Sequence, residues 1–171
     1  MSVMKNFADR YISQLTTCLL TDDIINKFLW YNTVKDKDIY NLPKIENPVS
    51  KLKDIKVFVN RRVESLFLDS DISVFINLFQ DQPAMIGSKR SNKINTLTLE
   101  VGVICHKDCR KTLNGARELI VANRIQYLLR NTEYLEAIGA PELSATKQSY
   151  NIPYDYNAYI VSVTIDYFES M

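Results

Sequence analysis

Glycine is scarce in this chain. Gly87, Gly102, Gly115 and Gly139 are scattered through 171 residues, so no glycine-rich turn can present several backbone amides to a phosphate. Histidine is scarcer: His106 stands alone. The three cysteines, Cys18, Cys105 and Cys109, are too few and too oddly spaced for a disulfide framework. No apolar run is long enough to span a bilayer. The stretch Met1 to Arg10 lacks the apolar core of a signal peptide, so synthesis in the cytosol and no membrane partner are expected. Charge of one sign is also missing. The net charge is +1, and no strong overall field draws the chain to nucleic acid or membrane.

The group Cys105-His106-Lys107-Asp108-Cys109 is the one place where metal-binding or nucleophilic residue types cluster. A structural zinc needs four ligands. Cys105, His106 and Cys109 are local, and only Cys18 is left as a fourth cysteine. Cys105 falls in phase with a buried strand face, whereas the adjacent His106 points the other way. Cysteine catalysis needs a base beside the thiol, and no further signature supports one. Acidic residues are dispersed, without paired carboxylates on a shared face. No catalytic residue, metal or cofactor is expected, and the chain does not read as an enzyme.

What the chain does contain is a strand followed at once by a helix, from Ile94 to Asn131. Leu97, Leu99, Val101, Val103 and Cys105 alternate with Thr96, Thr98, Glu100, Gly102 and Ile104, the period of a strand with one buried face. The period then lengthens. Leu113, Ala116, Ile120, Ile125, Leu128 and Leu129 recur at helical spacing. The polar turn from His106 to Asn114 joins the two, with Thr112 or Asn114 as the expected helix cap. A strand and its covering helix form a minimal two-layer unit.

The remaining elements follow from the same periods. Residues 4 to 20 predict a helix with the stripe Phe7, Tyr11, Leu15 and Cys18 or Leu19. Thr21-Asp22-Asp23 breaks it and caps a second helix, Ile24 to Tyr31, which is apolar on most sides. Residues 32 to 56 form a long polar connection, with at most a short strand near Val57 to Asn60. Asp71 to Phe79 alternates as a strand. Residues 80 to 95 hold Pro83 and Gly87 and are expected to be a loop, too long for a tight hairpin. This loop carries Lys89, Arg90 and Lys93, so it is either solvated or an arm that reaches another subunit or a polyanion. Ile138 to Pro141 closes a turn, Leu143 to Ile152 is a possible strand, and Tyr159 to Phe168 is a strong one. The length predicts a single domain over residues 1–171, with N-terminal helices over 1–31 and a sheet–helix core over 57–168. The fold class is α+β, with a mixed, mainly antiparallel sheet flanked by helices.

Arg110, Arg117 and Arg124 are seven residues apart. A helix would place Arg117 and Arg124 on one side, either solvated or as a basic stripe facing a ring lumen or an acidic neighbour.

Several words in this order carry a resemblance. They are a strand ending Ile104-Cys-His-Lys-Asp108, a helix with Ala122-Asn-Arg-Ile125 and Leu128-Leu129, the turn Gly139-Ala-Pro-Glu-Leu143, and the closing strand Tyr156 to Asp166. Together they resemble the tail terminator, or tail completion, proteins of long-tailed bacteriophages, and more loosely the related neck proteins. The likeness covers residues 70 to 168 best. It implies a small mixed sheet flanked by helices, and a homo-oligomeric ring, a hexamer, at the head–tail junction of the virion. It further implies a tail tube protein and a head-completion or neck protein as partners, with genomic DNA passing through the lumen unread. Lys89, Arg90, Lys93, Arg117 and Arg124 are the expected interface residues.

Overall fold

The computed structural model describes residues 7–60, 66, 71–131, 137–147 and 152–168. Its centre is a five-stranded sheet in the order β1-β2-β3-β7-β6, formed by β1 (Val57–Val59), β2 (Ile72–Ile86), β3 (Lys89–His106), β6 (Ala137–Lys147) and β7 (Tyr156–Phe168). Only β1 runs parallel to its neighbour; the other pairings are antiparallel. Helices α1 (Phe7–Thr21), α2 (Asp23–Trp30) and α5 (Arg117–Asn131) cover one face. The mainly antiparallel α+β class expected from the sequence is the one observed.

The alternation of β3 selects the main core. Leu97, Leu99, Val101, Val103 and Cys105 are fully buried against the helices, with Ile72, Val74 and Ile76 from β2 and Val161, Val163 and Ile165 from β7. On α1, Phe7, Tyr11, Leu15 and Leu19 are buried, and the Phe7 ring stacks on Tyr167 at 4.0 Å between centroids. The helix break comes where expected. Asp22 caps α2, its Oδ1 accepting from the Ile25 amide at 3.0 Å, which satisfies one of the free donors of the first turn.

Several expectations need correction. The sheet buries both faces at one end: Phe58, Leu66, Phe75, Ile104, Ala158 and Ile160 form a second small core on the side away from the helices. A strict alternation reading misses this, because those residues lie on the face that period two assigns to solvent. The connection 32–56 is anchored rather than a solvated spacer. It folds into a 3₁₀ turn, Ile39–Asn41, and a short helix α3, Pro48–Leu52, with Ile39 and Leu52 fully buried. Asn114 ties it down, accepting from the Ile39 amide and donating to Asp38.

The turn 106–114 is also more structured than expected. It contains a four-residue helix α4 (Lys107–Arg110), then β4 (Lys111–Thr112) and β5 (Gly115–Ala116) as a small ribbon. Thr112 and Asn114 bond within that ribbon, the Thr112 hydroxyl donating to the Gly115 carbonyl, and α5 starts at Arg117. Finally, the stretch Ile138 to Pro141 lies inside β6, where an irregularity between Ile138 and Glu142 absorbs it. Residues 4–6, 132–136 and 148–151 of the expected elements lie outside the described residues.

Gly102 has a packing role. It pairs directly with Phe75 across the β2–β3 ladder, and the Phe75 ring occupies the space a Cβ at position 102 would need. The ring replaces the missing side chain in the second core. Gly102→Ala should therefore overpack this face and destabilise the fold by about 1–3 kcal/mol in urea unfolding. Adding Phe75→Leu should recover part of the loss. A Gly102→Ala protein as stable as the original would contradict this packing.

Candidate assembly interface

The five expected interface residues separate into two groups. Lys89, Arg90 and Lys93 lie together at the end of a projecting hairpin. Arg117 is buried inside the subunit, and Arg124, half-buried, is paired with a carboxylate of its own chain.

Residues 80–95 are strand, not loop. β2 runs to Ile86 and β3 begins at Lys89, so a two-residue turn, Gly87-Ser88, joins them. Gly87 has φ 63°, a left-handed conformation that glycine adopts without strain at the first turn position. A Gly-Ser pair between two strand segments is a hairpin signal in its own right. The polarity of the stretch and Pro83 masked it. Pro83 is tolerated because β1 pairs only with residues 74–76 of β2, and a proline on an unpaired edge loses no ladder bond.

The hairpin is bent twice. Phe79 is an extra residue in β2 between the pairs Leu78–Leu99 and Gln80–Thr98, and it is 67% exposed. Farther out, Ala84 alone lies opposite Ser91 to Ile94. The Ser91 hydroxyl closes that local turn by accepting from the amides of Lys93 and Ile94. Such irregularities twist and re-aim a ribbon. Among the described residues, β7 pairs with β3 as far as Ile94–Phe168, and residues 84–93 form a two-stranded tip beyond that pair.

Met85 and Ile86 are 58% and 61% exposed on this tip. A groove of about 490 Å³ runs along its base, lined by Ile86, Lys89, Arg90, Lys93, Ile94 and Phe168 among others. Among the described residues, no carboxylate lines it. An apolar floor with three exposed cations suits a partner that offers acidic groups beside apolar side chains, through charge-assisted bonds and area burial together.

Arg117 is fully buried, contrary to the exposed helix face expected for it. Its Nε donates to the Cys109 carbonyl at 2.7 Å, Nη1 to Phe28 at 2.9 Å and Nη2 to Val34 at 2.8 Å. Phe28 lies in the last turn of α2, where carbonyls lack helical partners and a cation is favoured by the helix dipole. Burial lowers the guanidinium pKa from its ordinary value, while the neighbouring thiols Cys105 and Cys109 act the other way. Periodicity missed this because the helix starts four residues later than its apolar spacing implied. The face that turns inward is Arg117, Glu118, Val121, Ala122, Ile125 and Leu129, and Leu113 is 65% exposed.

Arg124 pairs within its own chain. Its Nε and Nη2 donate to Asp22 Oδ2 at 2.9 and 2.8 Å, a bond that raises its pKa. The same carboxylate therefore caps α2 and grips α5. Arg110 lies on α4, bonded through Nε to Glu118 at 2.6 Å.

The Cys-His group is split as its phase implied. Cys105 belongs to the helix-covered core, and burial first, with Glu118 second, pushes its thiol up to about 12. At neutral pH it is protonated, the wrong state for a nucleophile. The His106 ring packs edge-on against Tyr156 at 4.9 Å, and its Nδ1 accepts from the Asp108 amide, capping α4. Among the described residues, no helix is long and apolar enough to cross a membrane.

The site is a helix-backed, mainly antiparallel sheet with an exposed cationic and apolar hairpin tip. The YomW family model matches residues 22–165, and the chain belongs to that family. The family is phage-derived, named after a Bacillus prophage gene, and marks this as a phage-associated protein. No curated protein is similar enough to count as a match.

Removing the Arg117 fork leaves three carbonyls without donors in a dry site. Each orphaned carbonyl costs about 1–3 kcal/mol, partly offset by no longer burying a charge. Arg117→Met should thus lower unfolding stability by roughly 3–5 kcal/mol. Arg117→Lys should recover little, since an ammonium lacks the planar fork. An Arg117→Met protein within 1 kcal/mol or so of the original in urea would contradict the assignment.

Proposed function

We propose that the protein is a structural component of the phage virion, a tail terminator that forms a ring at the head–tail junction. In this role it caps the tail tube and offers its other face to a head-completion or neck protein, while genomic DNA passes through the lumen without being read. The work is mechanical. It calls for no catalytic group, metal or cofactor, and the ring is hexameric.

The projecting tip, residues 84–93, is the observation that carries this reading. A subunit meant to act alone gains nothing from exposing Met85 and Ile86 beside three cations, because apolar surface held in water is a liability unless a partner covers it. The phage-derived family supports the same direction. A pinned, helix-backed body with one projecting element also suits a ring subunit, which must keep its shape while contacting neighbours on two sides.

The near-neutral charge fits passage of DNA. A continuous basic wall would hold phosphates by counterion release and slow exit at low salt. With Arg117 buried and Arg124 neutralised by Asp22, the fully exposed cations of the candidate interface are Lys89, Arg90 and Lys93 at the tip.

Mass measurement of the purified protein, and of particles that contain it, should give a six-fold species. Disrupting its gene should yield tails of uncontrolled length that fail to join heads. A twelve-fold ring with tails of normal length would instead favour a head-completion or adaptor role. Absence of the protein from finished particles would overturn both.

A further inference from the structure

The register of the hairpin tip gives its two faces the same chemistry. Ile86 pairs with Lys89 across the Gly87-Ser88 turn, and Met85 pairs with Arg90 in the next rung. Residues directly opposite each other in an antiparallel ladder project to the same face, and successive residues project to opposite faces. One face of the ribbon therefore carries Ile86 with Lys89, and the other carries Met85 with Arg90. Lys89 and Arg90 both border the groove at the base of the tip, but their Cβ atoms leave the ribbon on opposite sides. Met85 and Ile86 are both exposed, so the subunit itself covers neither face. Among the described residues, no carboxylate pairs with the side chain of Lys89, Arg90 or Lys93.

We infer that the tip is a wedge: it enters a two-walled acidic cleft of another protein in the particle, with a partly apolar, carboxylate-bearing wall against each face. The inference rests on the assembly role proposed above and names the kind of surface the tip meets. A flat partner covers Met85 or Ile86 but not both, and leaves one apolar side chain and one unpaired cation in water. A cleft covers both at once, and each wall takes one charge-assisted bond and one apolar contact. The apex suits entry, because Gly87 and Ser88 are small and nothing crowds Gly87. Two other occupants fit less well. The groove of this same chain between α1, α3 and β1 sets Asp54 against Lys53, and its Asp9 is engaged within the chain, so it presents no net acidic wall. Duplex DNA has phosphates on both walls of a groove, but three cations release few counterions, a salt slope of roughly −3, and phosphate walls give Met85 and Ile86 little apolar surface.

The test places one cysteine on each face, Met85→Cys or Ile86→Cys, in a Cys18→Ser background; Cys105 and Cys109 are buried. A maleimide labels each variant free in solution and in particles assembled with it. Both cysteines should label readily in the purified protein. Both should be protected about tenfold or more in particles, including particles whose DNA has been released. A variant that keeps its melting temperature but is not incorporated counts as a required contact for its face. In parallel, Lys89→Glu and Arg90→Glu should each cut incorporation about tenfold with an unchanged melting temperature. Protection of one cysteine only or of neither, or an effect from only one charge variant, would overturn the wedge and leave the assembly role standing. Protection of both in the purified protein would assign the cleft to a second copy, and protection lost with the DNA would assign the tip to the genome; either result overturns the inference. Absence of the protein from finished particles would overturn the assembly role, and this contact with it.

Discussion

Arg117 carries a full charge to the first position of α5 and places it where water cannot reach. A helix N-terminus disfavours a cation, so the position is tenable only because the guanidinium fork meets three carbonyls from three separate segments. Those segments are the end of α2, the turn at Val34 and the end of α4. One side chain thus fixes how the N-terminal helices meet the helix that covers the sheet. Asp22 repeats the device on a smaller scale, capping α2 and gripping Arg124 of α5 with the same carboxylate. Breaking either contact leaves a buried polar group unpaired, which costs more than the bond itself is worth.

These internal pins bear on function because they bury one arginine and pair the charge of the other within the chain. The body of the subunit is closed by its own polar contacts, as the Asn114 bonds to Asp38 and Ile39 also illustrate. Exposed apolar side chains and cations lie side by side at the hairpin tip, where the ladder bends at Ser91 to Ile94. A pinned body with a projecting hairpin suits the assembly role proposed for this phage-associated member of the YomW family.

Much of the fold was legible in the residues. The alternation from Leu97 to Cys105 and from Tyr159 to Phe168 gave two central strands, and Asp22 declared the helix break. The expected arm around Lys89, Arg90 and Lys93 is present, but as a strand hairpin. Its Gly87-Ser88 turn was visible, while the freedom of an edge strand to carry Pro83 depends on β1 being only three residues long, which no local pattern reports. The roles of Arg117 and Arg124 were illegible for a different reason. An arginine between apolar residues reads as a solvated face unless the carbonyls it will meet are known, and those of Phe28 and Val34 lie more than 80 residues away in the chain. The second core around Phe75 and Gly102 was hidden likewise, because period two describes one buried face and says nothing of what covers the other.

The central contrast is between a pinned body and a two-stranded tip that few buried contacts hold. Amide hydrogen exchange measures that contrast directly, in the free protein and in virions. The amides of residues 84–93 should exchange quickly in the free chain, where few buried contacts hold them, and become strongly protected in the particle. Amides in α2 and α5, joined through Arg117, should be slow in both states. A tip already protected in the free protein, or one still open in finished particles, would contradict the account.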